Sequence, residues 1–108
     1  VDKSLLLKLR LPEGDVDLPG VGVVRVRGLS RAEAMTVRGL DDPAETERRV
    51  LALGMVDPTV TVAEAEQWQK SATHAELETV TERIAQLSGL AEESPKEAYK
   101  SVPGGPGA

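Results

Sequence analysis

The chain has no cysteine and no phenylalanine, and only one tryptophan, one tyrosine and one histidine among 108 residues. The lack of cysteine removes disulfides, thiolate nucleophiles and thiolate zinc sites. The lack of phenylalanine leaves Leu, Val, Ala and Met to fill the interior, an adequate core with few large interlocking shapes. No apolar run approaches the ~20 residues a helix needs to cross a bilayer. The early triplet Leu5-Leu6-Leu7 is broken off by Lys8 and Arg10, too short for the core of a secretory signal. The lone His74 has Glu76 and Glu78 nearby but no supporting nucleophile, and reads as a solvated residue in a helix's first turn. Asp15 with Asp17, and Asp41 with Asp42 and Glu45, lack the alternating oxygen-ligand spacing of a calcium loop. Gly14, Gly20, Gly22 and Gly28 match no phosphate-cradling loop. The expectation is a protein that is not an enzyme, with no catalytic residue, metal or cofactor.

What is present is charge of uneven sign and a run of helix punctuation. The net charge is -5, with five basic and four acidic side chains in residues 1–29 but eight basic and fourteen acidic in residues 30–108. An acidic helical part repels phosphate, so neither nucleic acid nor a membrane is an expected partner. Four times a hydroxyl residue precedes glutamate by three places: Ser30–Glu33, Thr61–Glu64, Thr73–Glu76 and Ser94–Glu97. Each pair has the spacing of a reciprocal capping box, which marks a helix start.

Between these signals the periodicity lays out a small α+β fold, an N-terminal β-hairpin packed on a bundle of four to five short helices. Residues 1–14 form an arm or short helix, stopped by Pro12 and Gly14. Residues 15–102 form one domain, with the hairpin over 15–28. Its apolar Val16, Leu18, Val24 and Val26 alternate with charged neighbours around the Pro19-Gly20 turn. Helices follow over about 31–40, 44–55, 62–70 and 74–88, with a last short one after Ser94-Pro95 and a disordered tail at 103–108. Asp42-Pro43 opens the second helix, and Gly89 suits a left-handed stop after the fourth. A core this small is expected to lean on a partner or on self-association.

Candidate binding residues are the few that such a core does not obviously need. Leu77, Val80, Ile84 and Leu87 recur at offsets 0, 3, 7 and 10, a narrow apolar seam open either to the core or to a partner helix. Trp68 is the largest side chain and a common binding anchor, and Tyr99 lies on the last helix. Arg25 and Arg27 form a basic stripe that meets an acidic partner or blunts a sheet edge.

The order "LPGVGVVRVRGLSRAEA", "ETERRVLALGMVDPTVTVAEAEQWQ", "ELETVTERIAQLSGLAEESPKEAYKSV" resembles the small tail assembly chaperones of siphophages and prophages, over about residues 8–102. The features that carry it are the Pro19-Gly20 hairpin leading to Arg25, Arg27 and Ser30–Glu33; Arg48-Arg49 before Leu51; Val56-Asp57-Pro58; Trp68; and Leu87-Ser88-Gly89 followed by Lys96 through Tyr99. The resemblance implies a short-form chaperone that binds and solubilises the helical tape measure protein before the tail tube assembles. It further implies contacts with the tail tube protein, a frameshifted longer form of the same chain, homo-oligomers, and residence in the bacterial host cytoplasm with absence from the mature virion. The alternative is a structural tail or connector adaptor retained in the particle.

Overall fold

Alternation of apolar and charged residues from Asp15 to Arg27 demands a sheet with one dry and one wet face. The computed structural model describes residues 1–90 and builds that sheet. Strands β1 (Glu13–Leu18) and β2 (Gly22–Arg27) pair antiparallel with Val16 opposite Val24 and Gly14 opposite Val26. At the turn, Gly20 and Gly22 have φ of 81° and 128°, a region that disfavours any side chain with a Cβ. Val16, Leu18, Val24 and Val26 all face inward and are buried. The chain is α+β, with a three-stranded antiparallel sheet of order β1-β2-β3 and, among the described residues, five helices.

The third strand is a departure from the sequence reading. Helix α3 runs Pro43–Gly54, and the chain enters β3 (Met55–Asp57) with no intervening turn. Arg25 faces Asp57 and Val26 faces Met55, so β3 holds an extra residue, Val56, as a bulge beside β2. The hairpin reading therefore gains a partner strand from its own chain, which it needs because two strands alone are barely stable.

The helices start where their caps place them. Helix α2 (Arg31–Arg38) and helix α4 (Val62–Ser71) each begin with a complete capping box, on Ser30 with Glu33 and on Thr61 with Glu64. Helix α3 has Asp42 as its cap and Pro43 in its first turn, where a missing N–H costs nothing. Helix α5 (His74–Ser88) is capped by Thr73, but Glu76 does not reach back, so this box is half made. Gly89 ends α5 with φ 77°, and the Leu90 amide donates to the Ala85 carbonyl at 2.8 Å in a Schellman closure. The short helix α1 (Lys3–Leu7) buries nothing. The strand pairing begins at Glu13, two residues before the expected hairpin boundary. The expected helix after Ser94-Pro95, its Ser94–Glu97 cap, Tyr99 and the 103–108 tail lie outside the described residues.

Helix α5 lies across the inner face of β1 and β2 and touches α3, which in turn packs on α2 and α4. Two glycines set how closely. A Cβ on Gly28 would stand 2.5 Å from the Leu87 carbonyl oxygen, and one on Gly54 2.5 Å from Ile84 Cδ1. Gly39, by contrast, has φ of -76° and nothing nearer than 3.6 Å to such a Cβ. Gly28→Ala is therefore expected to destabilise the fold by about 1–3 kcal/mol, because backbone rather than a yielding side chain blocks the new methyl. Gly39→Ala is expected to stabilise by about 0.5 kcal/mol through the unfolded chain's lost freedom. Urea denaturation of the two variants checks both signs.

Candidate functional site

The apolar seam of α5 is spent on the core. Leu77, Val80 and Ile84 are 6%, 0% and 1% exposed and pack with Val26, Leu51 and Met55. Of the two fates open to the seam, core or partner surface, three of its four residues take the first, because the sheet supplies the apolar face they need. Leu87 is partly buried against the same cluster.

Trp68 sits at the edge of that core, partly buried over a cavity of about 350 Å³ shared with Leu18 and Pro58. Its Nε1–H donates to Glu76 Oε2 at 2.8 Å, which is why Glu76 leaves the Thr73 cap incomplete. The indole therefore bridges α4 to α5 and has its polar atom satisfied within the chain. Its neighbour Gln69 ties α4 to α3, accepting from Arg48 Nε at 2.8 Å and donating to Glu47 Oε1 at 2.8 Å.

Arg25 and Arg27 do not form a free basic stripe. On the wet face of the sheet Arg25 donates to Glu13 Oε1 at 2.8 Å and to Asp15 Oδ1 at 2.7 Å, across the β1–β2 pairing. Arg27 grips Glu33 with both guanidinium nitrogens, at 3.0 and 2.9 Å. Glu33 also accepts the Ser30 amide at 2.9 Å, so one carboxylate joins the strand end to the helix cap. The Arg27 hydrogen bond, aided by that amide and opposed by partial burial, holds the Glu33 carboxyl below the usual glutamate range. His74 is exposed and lies 3.6 Å from Glu78, an ordinary surface pair. No group of three or more His, Asp or Glu side chains among the described residues is placed to hold a metal ion.

The open surface lies elsewhere. Helices α2, α3 and α5 enclose a groove of about 580 Å³ with Leu29, Val37, Leu40, Val50 and Ala85 along its floor and walls. Its acidic rim is made by Asp41, Glu47, Glu78 and Glu82, and among the described residues no lysine or arginine lines it. Pattern reading misses this site because its walls come from three helices and from the loop residues Leu29 and Leu40. The available signal was the pair Glu78 and Glu82, one turn apart on the flank of a buried seam.

A second apolar feature is the arm before β1. Leu5, Leu6, Leu7 and Leu9 are 57%, 61%, 77% and 79% exposed, and all of residues 1–10 lie on the surface. None of the five helices is long and apolar enough to span a membrane among the described residues. No family model, no curated protein and no solved structure matches this chain.

The Arg27–Glu33 pair sets a pH dependence of stability. A carboxyl whose folded pKa is depressed stabilises fully above its unfolded value and loses that contribution as pH falls through the folded one. The wild-type protein is therefore expected to weaken on acidification below about pH 4.5, near the unfolded glutamate value. Glu33→Gln should flatten that part of the profile, as read by chemical denaturation between neutral and acid pH. Glu76→Ala is expected to cost about 1.5 kcal/mol by stranding the Trp68 N–H. Emission of the single tryptophan during urea unfolding reports it directly.

Proposed function

We propose that the protein is a tail assembly chaperone, a non-enzymatic binder that keeps the helical tape measure protein soluble in the bacterial host cytoplasm and leaves before the virion matures. The observation that carries this reading is the groove between α2, α3 and α5. Its apolar floor suits the apolar stripe of an amphipathic helix, and its acidic rim suits basic flanks. The order of hairpin, paired arginines, Trp68 and the Leu87-Ser88-Gly89 stop adds the family resemblance. In this reading the client contacts move from the α5 seam to the groove, because Leu77, Val80 and Ile84 are unavailable. Arg25 and Arg27 hold the scaffold, and Trp68 braces α4 on α5.

Binding in such a groove combines burial of apolar side chains with weak rim attraction, so it tolerates many helical registers. That tolerance suits a client with a long repetitive helix. The test is co-expression with the tape measure protein. The wild-type chain should keep it soluble and co-purify with it, while Glu78→Lys/Glu82→Lys should lower recovery about tenfold or more, as loss of rim attraction and like-charge repulsion reach ~1.4 kcal/mol. Trp68→Phe should retain it. A client that stays insoluble with wild type, or this chain retained in purified particles, would refute the reading in favour of a structural adaptor.

A further inference from the structure

Among the described residues nothing fills the groove or covers the leucine arm, and the two complement each other. The arm carries Leu5, Leu6, Leu7 and Leu9 with Lys3, Lys8 and Arg10 against a single acid, Asp2. The groove offers an apolar floor bounded by Asp41, Glu47, Glu78 and Glu82. From this match of shape class and charge we infer that the arm of a second copy of this chain seats in the groove, so that two copies exchange arms.

The arm's root favours exchange. The Pro12 carbonyl accepts the Gly28 amide at 2.9 Å, which anchors the root beside the end of β2. Gly28 abuts the Leu87 backbone, and the next amide, Leu29, donates to Ser88 Oγ at 2.7 Å. Leu29 and Ser88 themselves line one end of the groove. The root of the arm therefore lies close to residues that line the groove. Two-fold symmetry between the copies makes the exchange reciprocal. Reciprocity matters because one arm alone covers far less than the ~1,600 Å² of a standard stable interface.

In the single chain the arm is not seated in its own groove, since all of residues 1–10 are exposed. Residues Lys8 to Pro12 contain no helix, and the Lys8 backbone is extended with ψ of 139°. Arg10 folds back on its own arm, Nη2 donating to the Leu6 carbonyl at 3.3 Å, and among the described residues pairs with no carboxylate. Among the described residues nothing covers the leucines, and another copy's groove can. Exchange covers them and neutralises part of the acidic rim at the same time. The groove cannot hold the arm and a client helix at once, so a client bound there displaces the arm.

The absence of cysteine provides a direct test. Chains bearing Leu9→Cys and chains bearing Ala85→Cys are mixed, mildly oxidised and resolved under non-reducing conditions, and the wild-type mass is followed by light scattering from about 1 to several hundred µM. Expected are a concentration-dependent dimer for wild type and a heterodimeric disulfide in the mixture. Leu5→Ser/Leu6→Ser/Leu9→Ser, which alters only exposed positions, should be monomeric. Glu78→Lys/Glu82→Lys should also be monomeric, and should regain dimers on mixing with Lys8→Glu/Arg10→Glu. A wild-type monomer throughout, or a dimer unaffected by the arm variant, would overturn the inference. So would a chain carrying both cysteines that closes its disulfide within a monomer. Failure here leaves client co-purification untouched, so the two readings are separable.

Discussion

The contact on which the remaining architecture depends is the meeting of β2's exit with the last turn of α5. There, Gly28 lets two backbones approach, and Ser88 joins both sides. Its hydroxyl accepts the Leu29 amide and donates to the Ile84 carbonyl at 2.6 Å. This junction links segments 59 residues apart in sequence and sets α5 across the hairpin's dry face. The inner residues of α5 then have one destination, among Val26, Leu51 and Met55. Large side chains are scarce, so the chain obtains tight packing by bringing backbones together at glycines rather than by interlocking aromatics.

Charge is divided in the same way between scaffold and surface. The basic residues of the hairpin are consumed internally: Arg25 by Glu13 and Asp15, Arg27 by Glu33. The exposed Arg25 pairs contribute little stability, since water screens them, but they settle which face of the sheet is wet. The Arg27–Glu33 fork is more sheltered and also completes the α2 cap. Acidic residues on the flank of α5 are under no such demand. Glu82 is left beside the groove, and among the described residues Glu78 has only exposed His74 as a partner. The result is a domain with its hairpin arginines paired and an acidic opening.

Local signals in the sequence were reliable where physics is local. Ser30, Asp42, Thr61 and Thr73 cap helices as their spacing requires, and Gly89 stops α5 in the left-handed region. The hairpin follows from a two-residue alternation. The third strand was not legible, because "LALGMVD" continues a helical apolar run and nothing before Pro58 announces an extended residue. Its formation depends on the free edge of β2, a partner distant in sequence. Glu76 is a similar case: its spacing from Thr73 fits a capping box, yet the nearby indole takes its carboxylate.

Composition and periodicity by themselves determined that this chain builds an α+β domain with an aliphatic core, helix starts at hydroxyl or aspartate caps and an acidic helical part. Each of these rests on interactions within a few residues or on the period of one element. Only the tertiary structure decided that the α5 seam belongs to the core, that both hairpin arginines are spoken for, and that an open groove lies between α2, α3 and α5. Those outcomes depend on which surfaces meet. An apolar stripe looks the same in sequence whether a sheet of its own chain or another protein covers it.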